Sequence, residues 1–134
     1  MHITELDIRP HELDSFGHVN NARYLEYLEW ARLGWCLEYD LTYERFHELE
    51  VIPAVVEANL RFQCEAKLGD RLRIETRPEL VHSAKIVFHQ NIFNQNGRRV
   101  MKATITVVSV DMNTRSFTAF PEVFVRAVRG DPPA

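Results

Sequence analysis

Between Asp14 and Arg32 the chain reads DSFGHVNNARYLEYLEWAR, and this stretch holds the residues best suited to chemistry. Its first half is polar and turn-rich, with Gly17 and the adjacent Asn20 and Asn21; its second half is an apolar helix candidate. An Asn at the head of a helix is a good cap, because its side-chain oxygen accepts from the first unpaired backbone N–H groups. A helix start also leaves N–H groups pointing outward with partial positive charge behind them, a seat for an anion or a developing oxyanion. Asp14, seven residues before Asn21 on the loop leading into the helix, can sit across from them. A carboxylate opposite oriented N–H donors is an arrangement suited to acyl hydrolysis. Spacing alone leaves a second role open, in which Asp14 caps its own turn through the N–H of Phe16 or Gly17.

The helix that must position this loop is expected over residues 22–39. Twelve of its eighteen residues are apolar or aromatic, and Arg23, Glu26, Glu29 and Arg32 recur every third position instead of holding one clean stripe. Such a helix should be mostly enclosed. In a chain of 134 residues, a curved sheet wrapped around it does that. The rest of the sequence supplies the strands. Residues 3–9 make a short first strand ended by Pro10, and residues 41–49 suggest a second helix opened by Thr42. From Ile52 to Phe62 every even position is apolar, with Glu57, Asn59 and Arg61 opposite, which predicts a strand with its even face on the core. After a turn at Leu68-Gly69-Asp70, Leu72, Ile74 and Thr76 alternate with Arg71, Arg73, Glu75 and Arg77. A strand over 83–94 carries Ile86, Phe88 and Ile92 on one side, Asn96-Gly97 is a hairpin signal, and 100–111 is long and β-branched. Residues 117–120 are expected to extend the sheet, Pro121-Glu122 to open a short terminal helix, and the tail 130–134 to fray. One strand, a long helix and then four strands joined by short turns make an α+β fold with an antiparallel sheet, expected as one domain over 1–134.

Composition narrows the function classes. Sixteen basic against nineteen acidic residues give a net charge of -3, which draws the chain to neither nucleic acid nor an anionic membrane. No apolar run is long enough to span a bilayer and the start MHITELDIR is no leader, so the expected location is the cytoplasm. Cys36 and Cys64 form no CxxC pair, and Cys36, inside the helix, reads as a small core residue. The six His lack metal-ligand spacing, so no metal site is expected. GxSxG, GxGxxG and the Walker pattern are absent.

Asp14, Gly17, His18-Val19-Asn20-Asn21, Tyr24-Leu25, Glu29, Ala31 and Arg32 together resemble the hotdog-fold thioesterases of the 4-hydroxybenzoyl-CoA thioesterase and YbgC-like group. The HVNN–Tyr portion also resembles acyl-ACP thioesterases, and Gly69-Asp70 before a strand is similar to the same group. The order of elements resembles the family over residues 3–128, while the motif itself lies in residues 14–32. The resemblance implies a hotdog fold and hydrolysis of an acyl thioester, usually an acyl-CoA. It places the acid at Asp14, as nucleophile or as base toward water, and the carbonyl oxygen on backbone N–H near Asn21 and Ala22. His18 and Asn21 are the polar groups it sets beside Asp14; Gly17, Val19, Asn20, Ala22 and Tyr24 line the substrate. Coenzyme A enters only as part of the substrate, and no other cofactor is implied. Many YbgC-like enzymes carry His where this chain has Asn21, and the acyl-ACP enzymes carry Asn where it has Phe16.

Other readings stand beside these. His18 suits a structural loop contact as well as a catalytic one, Asn20 and Asn21 suit capping, and Tyr24 suits the core. Glu29 and Arg32 have the spacing of an i,i+3 ion pair. The Arg71, Arg73, Arg77 row is a solvated strand face or a seat for CoA phosphates. A noncatalytic acyl-CoA binder or sensor, an acyl-ACP thioesterase and a hotdog hydratase or dehydratase remain as alternative functions. One short sheet around one helix leaves open edges, so a homodimer or homotetramer is expected, with the site between subunits.

Overall fold

A computed structural model describes residues 1–133. The elements run β1 (His2–Asp7), a 3-10 turn (Pro10–Glu12), α1 (Arg23–Glu38), α2 (Tyr43–Leu49), β2 (Val51–Phe62), β3 (Arg71–His82), β4 (Lys85–Phe93), β5 (Arg99–Asp111) and α3 (Glu122–Val128). The five strands form one antiparallel sheet in the order β1-β3-β4-β5-β2, so β1 and β2 are its edges. The expected alternation holds in the middle of the sheet. Leu72, Ile74 and Thr76 of β3 and Ile86, Phe88, Gln90 and Ile92 of β4 are all buried, facing the helix side.

Helix α1 crosses that face with Tyr24, Tyr27, Leu28, Ala31, Trp35 and Cys36 turned inward. It packs against β1 and β3. Close approach to β1 requires Gly34: a Cβ there would lie 2.7 Å from His2 Nε2, and His2 is held by Thr4 and Glu38 at 3.0 Å each. Trp35 meets Phe88 at 5.3 Å and Phe124 at 5.5 Å, so α3 covers the C-terminal end of α1. In α2, Thr42 accepts from Arg45 N–H at 3.1 Å, the cap expected for it. Asn94 Oδ1 accepts from the N–H groups of Asn96 and Arg98 at 3.0 and 3.1 Å, closing the hairpin at Asn96-Gly97.

Four expectations are corrected. The helix is not enclosed: Leu25, Leu33 and Leu37 are 48%, 52% and 62% exposed, because the sheet curves over one side of α1 only. The even face of β2 does not run unbroken to the core. A bulge between Val55 and Glu57 switches its parity, so Phe62, Leu60 and Ala58 share the inward side with Val55, Pro53 and Val51. Residues 117–120 do not extend the sheet as a strand; Phe117 makes one isolated bridge to Val110 before Pro121 turns the chain into α3. The tail is tied down at Asp131, whose N–H donates to Arg126 O at 3.0 Å; Ala134 lies outside the described residues.

Candidate active site

The loop from Leu13 to Val19 is a closed hairpin. Leu13 and Val19 bridge, and Asp14 N–H donates to His18 O at 2.7 Å. Gly17 turns it at φ +81°, a conformation that only glycine adopts without strain. Asp14 Oδ1 accepts from Phe16 N–H at 2.9 Å and from His18 N–H at 3.1 Å. The turn-capping role is therefore real, and it uses one carboxylate oxygen. Among the described residues, Oδ2 has no hydrogen-bond partner.

A second ladder holds this hairpin against the chain after β2. Val19 N–H donates to Ala66 O at 2.8 Å and His18 bridges Lys67. The buried Asp70 fixes that segment: its carboxylate accepts from Lys67 N–H at 3.1 Å and from Gln95 Nε2 at 3.0 Å. Gly69, at φ +95°, makes the turn. This gives the Gly69-Asp70 pair a structural job. Between the two segments lies a cleft of about 240 Å³, lined by Asp14, His18, Val19, Asn21 and Tyr24 on one side and by Phe62, Gln63, Cys64 and Glu65 on the other.

The head of α1 differs in detail from expectation. Asn20 Oδ1 accepts from Ala22 N–H at 2.9 Å in a turn just ahead of the helix, and its main-chain O accepts from Arg23 N–H at 2.9 Å. Ala22 N–H is thereby occupied. Among the described residues Asn21 N–H has no hydrogen-bond partner, and Asn21 is one of the residues lining the cleft. Five of the eight residues singled out from the sequence thus meet in one cleft. Gly17, Asn20 and Ala22 shape the backbone around it without lining it.

Tyr24 is 3% exposed, and burial, with the Cys64 thiol and the Asp70 and Asp14 carboxylates nearby, pushes its phenol up to about 12. It packs edge-on to Phe62 at 5.4 Å, which joins α1 to the end of β2. Cys36 is buried in α1 as expected, and burial pushes its thiol up to about 12. Arg32 does not close an ion pair with Glu29; its guanidinium donates to Gln90 Oε1 at 3.1 Å, deep against β4. Arg71 is held by Glu5 and Asp7, and Arg73 by Glu75 at 2.8 Å, so those two cations of the strand face are already paired. Phe62, Cys64 and Glu65 were not visible as site residues, because only the ladder between Val19 and Ala66 brings them to the cleft. Among the described residues no group of three or more His, Cys, Asp or Glu is placed to hold a metal ion. No described helix is long and apolar enough to cross a membrane.

The sequence pattern that describes the thioesterase-like superfamily matches residues 8–128. The chain belongs to that superfamily. Among superfamily members, it is similar to the long-chain acyl-CoA thioesterase FadM of Escherichia coli K12, 32% identical over 87% of this chain and 88% of that one. It is similar also to the acyl-CoA thioesterase YbgC of Haemophilus influenzae, 33% identical over 83% of this chain and 82% of the other. The crystal structure of Slr0204, a 1,4-dihydroxy-2-naphthoyl-CoA thioesterase from Synechocystis, superposes with a TM-score of 0.89 at 17% identity. It covers 96% of this chain and 95% of that one, and the likeness concerns the fold. The α+β hotdog architecture of the superfamily is thus that of this chain.

Proposed function

We propose that the chain hydrolyses acyl-CoA thioesters to the free acid and coenzyme A. The observation that supports this best is one cleft lined both by Asp14, whose Oδ2 has no hydrogen-bond partner among the described residues, and by Asn21 at the head of α1, whose N–H has none either. Oδ2 draws a proton from water as the water oxygen bonds to the thioester carbonyl carbon, or attacks that carbon itself. The carbonyl electron pair moves to oxygen, where Asn21 N–H and the helix head stabilise it. The carbon–sulfur bond then breaks with its pair on sulfur, a good leaving group, so a weak base suffices. The chemistry uses the chain's own residues, with coenzyme A as the departing half of the substrate. Acyl-CoA is favoured over an acyl carrier protein because FadM and YbgC, the two relatives described above, are both named for acyl-CoA.

The working unit we propose is one domain in the cytoplasm, assembled as a dimer or a dimer of dimers. Asp14 is exposed in the single chain, and a second copy seated on the open β2 edge gives the cleft its cover. The test is release of free thiol from a panel of acyl-CoAs by the wild type and by Asp14→Asn. The expected result is turnover by the wild type and a loss of about a hundredfold or more in kcat for the variant. Variant turnover within a few-fold of the wild type overturns the role of Asp14. A wild type that binds acyl-CoA but releases no thiol supports a noncatalytic binder instead.

A further inference from the structure

Helix α1 and strand β2 run in opposite directions along one trough, with the Asp14 cleft at one end. At that end Tyr24 packs on Phe62 at 5.4 Å, and both line the cleft. Further along, Leu33 of α1 and Val55 and Pro53 of β2 line one recess. Its polar lining is Glu29, which is exposed, and Arg32, whose guanidinium is turned to Gln90 at 3.1 Å. Leu33, Phe46 and Pro53 also line a hollow of about 440 Å³ between α1, α2 and β2, so the two spaces adjoin. Leu37, Leu41, Ile52 and Met112 make the walls of that hollow chiefly apolar. Between cleft and recess the inward position on β2 is Ala58, small and exposed, where a larger side chain would stand in the way.

Reach decides what fits. From Tyr24, α1 rises about 13.5 Å to Leu33 and about 19.5 Å to Leu37, at about 1.5 Å per residue. An extended carbon chain advances about 1.2 Å per bond, so about 11 bonds reach the recess and about 16 reach the hollow. A short or aromatic acyl group ends near Tyr24 and leaves the rest of the trough empty. We propose that the hollow between α1, α2 and β2 holds the far end of a straight fatty acyl chain of about 12–16 carbons, whose thioester lies in the Asp14 cleft. This rests on the thioester-hydrolysis reading above. Methylenes leaving water for the side chains of Leu33, Val55 and Leu37 draw the chain in. The second copy proposed above roofs the same trough and closes the chain off from solvent.

The test is kcat/KM against chain length, with saturated acyl-CoAs from butanoyl to octadecanoyl and with benzoyl-CoA, each kept below the concentration at which it forms micelles. The wild type is expected to gain about two- to fourfold per added methylene up to about 12–16 carbons, and to turn over benzoyl-CoA poorly. Ala58→Phe blocks the trough midway and is expected to lower the ratio of hexadecanoyl to hexanoyl turnover about a hundredfold. Met112→Trp fills the far hollow and is expected to move the optimum down by about two to four carbons. A wild type that prefers benzoyl-CoA or butanoyl-CoA overturns the proposal and leaves hydrolysis standing, as does a chain-length profile that neither substitution shifts. If the wild type hydrolyses no acyl-CoA, the functional reading falls and calorimetry decides the hollow by itself. Hexadecanoyl-CoA is then expected to bind more tightly than butanoyl-CoA, with the difference reduced in Met112→Trp; equal affinities overturn the assignment.

Discussion

Glu12 shows how one side chain outside the cleft holds the cleft's loop in place. It is 1% exposed, and both of its carboxylate oxygens are met by Arg9, through the backbone N–H at 2.8 Å and the guanidinium at 3.0 Å. Arg9 in turn lies over the Trp30 ring at 5.0 Å, and Glu12 O accepts from Asn20 N–H at 2.9 Å. Burial raises the carboxyl of Glu12, but the hydrogen bonds from Arg9, a contact with Tyr27 and the Arg9 charge together lower it below its ordinary 4.5. A carboxyl lowered in the folded state binds fewer protons folded than unfolded. Its contribution is therefore full above pH 4.5 and is lost as pH falls through the lower folded value. Glu12→Gln is expected to lose stability at neutral pH and to flatten the stability–pH curve below that point; urea unfolding at a series of pH values reads both. Equal slopes in the two proteins contradict this account. Asp14, His18 and Asn21 were legible from type and spacing because they are near one another in sequence. Glu65 was not, since its link to His18 runs through a ladder between segments far apart in the chain.

At the scale of elements, strand periodicity read well where one face is clearly apolar and failed where both are. Residues 51–56 of β2 are VIPAVV, with no polar position to mark a face, so a bulge there leaves no sign in the pattern. Gln90 is the opposite case, a polar residue at a position that the alternation of β4 assigns to the core. It is fully buried, donates to Leu28 O and to Thr76 Oγ1 at 3.0 Å each, and accepts from Arg32 at 3.1 Å. One side chain thus joins β4, β3 and α1. Gln90→Leu keeps the volume but leaves the Thr76 hydroxyl and the half-buried Arg32 guanidinium short of partners. Each such loss costs on the order of 1–3 kcal/mol, so a drop of about 2–4 kcal/mol in unfolding free energy is expected. A loss under about 0.5 kcal/mol by denaturant unfolding would show that the three elements hold without this knot.

The molecule as a whole leaves two apolar strips uncovered side by side. One is the Leu25, Leu33, Leu37 stripe of α1; the other is β2, where Val55 and Val56 are 52% and 56% exposed. Leu33 and Val55 line the same apolar recess, so the strips form a single trough between helix and edge strand. β2 is twelve residues long and its outer edge is unpaired, the kind of edge that invites another strand. A second copy related by a two-fold axis presents the same strand and the same trough, so one contact satisfies both chains. The proposed dimer is expected to show twice or four times the mass of one chain in light scattering or sedimentation at micromolar concentration. Leu33→Lys combined with Val55→Lys places charge in the trough, where both side chains are half-exposed in the single chain and can be charged without emptying its core. The double variant is expected to sediment as one chain with unchanged circular dichroism and with thioester hydrolysis largely lost. Hydrolysis retained by that single chain means that the Asp14 cleft works without a partner's cover. A wild type that stays a single chain means that the trough receives something other than this protein's own surface.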